Sequence, residues 1–151
     1  MNPRLQYQFQ NSKQTLGVAL EEYKNHNERI LDSGSEKESD FFFKPHDACH
    51  IIFGCSNNLE DEAITDVWTI FGTDVSLKKF YRFTQAEGHK EIIRTIGLRT
   101  AIKTTIKSVP RILRVVLASQ QMRAKWEWDK YENYLDQRLF KIRQTFNIRI
   151  V

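Results

Sequence analysis

The chain has 151 residues, of which 40% are hydrophobic and 28% charged, with a formal charge of +4. These values are ordinary for one soluble globular domain. No apolar run approaches the roughly 20 residues of a membrane-spanning helix, and the N-terminus has no apolar core of a secretory signal. The two cysteines, Cys49 and Cys55, fit neither a disulfide framework nor a CxxC motif, so we expect reduced thiols in an intracellular protein.

Taken in chain order, the predicted elements are all helices. Residues 15–31 place apolar side chains at helical spacing, and the small polar residues of 32–40 predict a loop. Pro45 suits the first turn of a second helix, which would end near Gly54. A third helix is predicted from Leu59 onward. The remaining predicted helices cover residues 89–109, 111–126 and 128–142, with a stop or kink at Pro110. The pattern therefore predicts a single all-α domain over residues 1–151.

Positive charge is concentrated in one segment of the chain. Residues 90–125 carry nine basic and one acidic side chain, and Arg99, Lys103 and Lys107 follow one another at i, i+4 spacing. With the aliphatic residues between them they form a basic amphipathic helix. Such a helix favours peripheral contact with a membrane surface, or binding of the phosphate of a prenyl-phosphate ligand. A core helix with a solvated cationic face would have the same pattern. Nucleic acid is the least favoured partner, and we expect none to bind, because no stacking aromatics accompany these residues.

The stretch from Lys44 to Ala63 concentrates residues that bind metals. On a helix, His46 and His50 lie one turn apart with Asp47 in the same arc, and this spacing lets two imidazoles reach one cation. Glu62 falls in the first turn of the next helix, and antiparallel packing of the two helices would return it to the same point. Two nitrogens with carboxylate oxygens suit Zn²⁺, and also Fe²⁺, Mn²⁺ or Co²⁺.

Two other interpretations of these residues stay open. A His-Asp pair at a helix start and acids in a first turn are ordinary helix-end chemistry, because the macrodipole favours acids there. A helical phosphohydrolase of the HD type also uses a His-Asp doublet with a divalent metal. That class would need His26 and either Asp66 or Asp74 as further ligands.

The pattern HDACH, eleven residues and then Glu62 resembles the HDxxH-x(11)-E signature of the ubiquinone-biosynthesis Coq-four family. The C-terminal AKWEWDKYENYLDQRLFKIRQTFNI is similar to that family's closing segment, so the resemblance covers roughly residues 41–151. It implies an all-helical fold and a hydrophobic tunnel for a polyprenyl tail. It also implies a divalent ion, usually zinc, bound by His46, Asp47, His50 and Glu62.

By the same resemblance, the protein would act in coenzyme Q assembly. The family removes the ring carboxyl group of polyprenylated hydroxybenzoate intermediates, adds a hydroxyl, and helps to organise the other enzymes of quinone biosynthesis. We therefore expect antiparallel helices around a metal site and an apolar pocket, with the same four residues as the catalytic residues of a lyase-type enzyme. A non-catalytic isoprenoid-binding or scaffold protein, in which the metal only joins two helices, is the alternative.

Location and length follow as further expectations. The resemblance implies a peripheral protein on the cytoplasmic face of a membrane, or on the mitochondrial inner membrane in a eukaryote, and a homodimer stays open. The family has a longer helical part before its HDxxH than the 45 residues that precede His46 here. Some of the helices that form the tunnel are therefore expected to be missing or replaced.

Overall fold

The computed structural model describes residues 4–26, 44–85 and 97–151, and its regular structure is helical. The α-helices are α1 (Leu16–His26), α2 (Lys44–Phe53), α3 (Leu59–Gly72), α4 (Leu77–Thr84), α5 (Leu98–Gln120) and α6 (Leu139–Phe146). Short 3-10 helices cover Gln6–Gln8 and Trp128–Tyr134. Over these described ranges, extended backbone pairs only in two isolated bridges, Thr15 with Arg138 and Thr73 with Trp126. The predicted all-α fold is confirmed.

The second and third predicted helices are found where the sequence places them, and the C-terminal half differs. Pro110 lies inside α5, so the two helices predicted on either side of it are one element that ends at Gln120. α3 and α5 form the most extensive helix pair, and this packing compensates for the hydrogen bond that the proline removes. The helix predicted over 128–142 is a 3-10 helix followed by α6. The predictions for residues 27–43 and 89–96 lie outside the described residues.

Helix α2 is the centre of the fold. Every residue from Pro45 to Phe53 is buried, and the helix contacts α1, α3, α6 and both 3-10 helices. A helix that is covered on all sides belongs to the core. Three polar residues of α2, His46, Asp47 and His50, are therefore taken out of water and need partners inside the protein.

The C-terminal end of α2 is a Schellman motif. Gly54 has a φ of 71°, its N–H donates to the carbonyl of Ile51, and the N–H of Cys55 donates to the carbonyl of His50 at 2.8 Å. A Cβ at Gly54 would lie 2.6 Å from Cδ1 of Ile150, so both backbone conformation and space require glycine. The motif ends α2 one turn after the second histidine.

Arg143 forms hydrogen bonds both to the C-terminal end of α2 and to the N-terminal segment. Its guanidinium is 1% exposed and donates to the carbonyls of Ile51 and Ile52, at 2.6 and 2.9 Å, and of Tyr7 and Phe9, at 2.7 and 2.6 Å. Burial lowers the pKa of Arg143 to about 10, so the side chain stays charged at neutral pH. The carbonyl end of a helix carries partial negative charge, which offsets part of the cost of burying this cation.

Helix α5 presents an apolar stripe to solvent. Its exposed aliphatic side chains follow one face of the helix and are Ile102, Ile106, Val109, Leu113 and Leu117. Within the described part of the chain, no helix combines the length and apolar character needed to cross a membrane. The exposed stripe lies beside the basic residues of the same helix.

Candidate metal centre

Two pairs of facing side chains form the centre, one residue of each pair on α2 and the other on α3. The turn between Gly54 and Asn58 reverses the chain, and the side chain of Asn58 caps α3 by accepting the N–H of Asp61 at 2.9 Å. In this antiparallel arrangement, Nε2 of His50 lies 3.4 Å from Oε2 of Glu62. Nε2 of His46 lies 3.6 Å from Oδ1 of Asp66. Each helix thus contributes an i, i+4 pair.

These side chains form a set of donors that fits a cation. One ligand atom each from His46, His50 and Glu62 lies within 4.8 Å of the other two. Nε2 of both histidines and Oδ1 of Asp66 are buried and have no hydrogen-bond partner. Buried polar atoms without partners are rare in native proteins, so these three atoms, close to one another between the same two helices, indicate a site for a ligand. Two imidazoles with carboxylates suit a divalent transition metal.

Contacts at Nδ1, the ring nitrogen that points away from the centre, fix the orientation of His50. Its Nδ1 lies 2.9 Å from the carbonyl oxygen of Ser56 and 3.2 Å from Oγ1 of Thr65. A carbonyl oxygen only accepts, so Nδ1 carries the proton and Nε2 of the neutral ring presents its lone pair to the centre. This second hydrogen bond is the one that metal-binding histidines ordinarily make, because it sets tautomer and ring direction.

Aromatic rings cover the imidazoles and leave the carboxylate side open. Tyr23 stacks on His50 with ring centroids 5.3 Å apart, and Phe83 stacks on His46 at 4.6 Å. Burial raises the pKa of Tyr23 above its usual value, and the charges of Asp47 and Glu62 add to the effect, so the phenol stays neutral. The side chains of Glu62 and Asp66 are 30% and 31% exposed. A further ligand therefore has access from the α3 side.

The structure brings together three of the four ligands expected from the sequence. Asp47 is buried next to both histidines and is not in the three-residue donor group. Burial raises the pKa of Asp47 to about 6, although His50 and His46 lower it in part. Asp66 takes the place opposite His46. Its spacing from Glu62 repeats the spacing of the two histidines, and that i, i+4 match was the available signal.

The other candidate residues lie elsewhere. His26 lines a separate cavity, described below. Asp74 accepts the backbone N–H of Trp128 at 2.8 Å, which is a structural contact. Cys49 and Cys55 are free, buried thiols, and burial raises the pKa of Cys55 to about 12, so this thiol stays protonated. The apolar pocket expected beside the metal group stays a prediction.

Metal affinity is expected to fall as the pH is lowered. Burial alone would lower the pKa of His50, but the nearby negative charge of Glu62, with those of Asp47 and Asp66, raises it above its usual value. A cation must displace that proton, so affinity should rise with pH by about tenfold per unit for each proton released, up to the pKa of His50. Competition with a chromogenic chelator between about pH 5.5 and 8 measures this dependence. A flat profile over that range would contradict it.

No protein-family model, curated protein or solved structure matches this chain.

Proposed function

We propose that this chain is a metal-binding protein of prenylquinone biosynthesis. It would bind a polyprenylated aromatic intermediate and support decarboxylation and hydroxylation of its ring. The observation that carries the proposal is that the residues of the HDxxH-x(11)-E pattern lie on two antiparallel helices and face each other. Their unpartnered imidazole nitrogens meet carboxylates over 3.4 and 3.6 Å.

Within this proposal, His46, His50 and Glu62 hold the ion, and Asp66 supplies a fourth ligand atom, an oxygen, opposite His46. Zn²⁺ suits two nitrogens with carboxylates, and Fe²⁺, Mn²⁺ or Co²⁺ suit the same donors. A bound divalent ion would supply Lewis acidity to a phenolate or carboxylate of the ring. The open carboxylate side favours an ion that takes a substrate ligand over one that only joins two helices.

Asp47 is proposed to hold and move a proton. A carboxyl group with a pKa of about 6 exchanges protons readily near neutral pH, and Asp47 adjoins both histidines without belonging to the donor group. Its surroundings on α2 exclude water, because every residue of the helix from Pro45 to Phe53 is buried. Asp47 is thus suited to return a proton to a ring carbon after a carboxyl group leaves.

Turnover tests the enzymatic part of the proposal. Metal-loaded protein, given a short-chain prenylated hydroxybenzoate in detergent under air, is expected to release the ring carboxyl group, which mass spectrometry of the product detects. Asp47→Asn should retain the metal and lose at least about 100-fold in rate, the usual contribution of a proton-transfer group. Substrate binding without turnover would leave the non-catalytic, lipid-binding alternative. Hydrolysis of a phosphate ester instead of decarboxylation, lost in His26→Ala, would favour the phosphohydrolase class.

The exposed stripe of α5 is proposed to rest on an anionic membrane surface. Ile106 and Leu113 are 65% and 59% exposed, and Lys103, Lys107 and Arg114 accompany them on the same helix. Ile106→Ser with Leu113→Ser should reduce co-sedimentation with anionic vesicles by about tenfold or more, since each side chain contributes roughly 1.5–3 kcal/mol on burial. Val18→Ser is a control, because Val18 is 51% exposed on α1. Equal loss in the control would count against this surface.

A further inference from the structure

A cavity lies beside the turn that joins α2 and α3. Its volume is about 580 Å³, and its walls come from the N-terminal segment, the α2–α3 turn, α5 and the C-terminal residues. Four cationic side chains line it, Arg4, Lys107, Arg111 and Arg114, against one acidic side chain, that of Asp61. This volume is ordinary for a small-ligand site, and the lining has an excess of positive charge.

The carboxylate is already engaged by one of the four cations. Arg111 pairs with Asp61, and its Nε donates to the carbonyl of Val151 at 3.1 Å. Among the described residues, no acidic side chain lies within ion-pair distance of Arg4, Lys107 or Arg114. Three cations therefore share a concave surface without an anionic partner. Such surfaces concentrate anions from solution.

Three of the four cationic residues that line the cavity belong to α5. Lys107, Arg111 and Arg114 are spaced i, i+4 and i+7, which places them on one face of the helix. Like charges at this spacing repel one another and destabilise a helix by a few tenths of a kcal/mol per pair. An oxyanion between them would replace that repulsion with attraction. Guanidinium groups in particular match the oxygens of phosphate through parallel N–H···O bonds.

We propose that this cavity binds a phosphate-type anion at a site separate from the metal centre. Three uncompensated cations favour a doubly charged group over a single carboxylate. The phosphate could belong to a soluble molecule or to a lipid headgroup, since the apolar stripe of α5 borders the same basic residues. The proposal does not depend on the metal, because the donors of the two sites do not overlap.

The test uses charge reversal outside the metal centre. Arg111 is left intact, because its partner Asp61 also accepts the N–H of Ser56 at 2.6 Å, and Ser56 in turn orients His50. Lys107→Glu with Arg114→Glu changes two exposed side chains of the cavity. Lys78→Glu with Arg82→Glu makes the same change of net charge on α4, at exposed positions outside both the cavity and the proposed membrane surface. Binding of inorganic pyrophosphate to chelator-treated protein is measured by calorimetry.

Pyrophosphate is expected to bind the wild type, with affinity reduced at least about tenfold by the cavity variant and less than about threefold by the control. In a second arm, phosphatidic acid vesicles are compared with phosphatidylcholine vesicles. If pyrophosphate fails to bind but phosphatidic acid binds and the cavity variant alone loses it, the site takes a lipid phosphate. Equal losses in both variants, or no binding of either probe by the wild type, would overturn the proposal.

Discussion

Replacing His50 by glutamine is expected to abolish metal binding. The wild type should carry about one transition-metal ion per chain, and His50→Gln should lower affinity more than about 100-fold, since even residues behind the ligands contribute 10–100-fold. The physical reason is that Nε2 of His50 is already aimed at the centre by the bond from Nδ1 to Ser56. Glutamine retains most of the volume, so the helix should still pack. Elemental analysis with chelator competition measures the effect.

Matched variants identify the remaining ligands. Glu62→Gln should lose the metal as His50→Gln does, and His26→Ala should keep it, because His26 lies at the other cavity. If Asp66 provides the fourth ligand, Asp66→Asn will weaken binding more than Asp47→Asn. The opposite order would return Asp47 to the ligand set that the family resemblance implies. Wild-type protein that holds no metal after reloading would leave these residues as helix-end chemistry.

Arg143→Met is expected to be the most destabilising single substitution outside the metal centre. The change leaves the buried carbonyls of Tyr7 and Ile52 without their donor and removes the charged donor of Ile51, at a cost of roughly 3–5 kcal/mol for breaking a buried charged network. For a domain of this size the melting temperature should fall by roughly 10 °C. Thermal and urea unfolding followed by circular dichroism measure both quantities.

Two further variants distinguish the loss of the hydrogen bonds of Arg143 from the simple loss of its positive charge. Arg143→Lys keeps the charge but cannot reach four carbonyls at once, so its stability should lie between wild type and Arg143→Met. Arg138→Met removes an exposed arginine just before α6 and should change stability by less than about 0.5 kcal/mol. Comparable losses at the two positions would mean that net charge, and not the hydrogen bonds, is responsible.

The metal centre could be predicted from the sequence to the extent that it depends on local geometry. His46 and His50 are one helical turn apart whatever the rest of the fold does, and the polar turn before Leu59 made an antiparallel return plausible. Asp66 was assigned only to an alternative class, because its role depends on the register of α3 against α2. That register is set by the Schellman turn and by packing, neither of which has a one-residue signature.

Long-range contacts could not be predicted from the sequence, because they too depend on how distant segments pack together. Arg143 binds carbonyl oxygens 91 and 136 residues away, and a backbone carbonyl has no side-chain identity to search for. Pro110 was predicted to stop or kink a helix, yet α5 runs through it, because packing against α3 outweighs one lost hydrogen bond. The basic cavity joins the N-terminal segment, α5 and the C-terminus, so only the folded chain reveals it.

The two bonds that His50 makes to the α2–α3 turn have a thermodynamic consequence. Its carbonyl accepts the N–H of Cys55, and its ring donates to Ser56, so backbone and side chain are both immobilised before any ion arrives. Rotamer entropy is then lost during folding, and ion binding loses little more. Such a centre differs from small zinc domains, in which the metal itself drives folding. Its selectivity among ions follows from a fixed arrangement of donors to which each ion must conform.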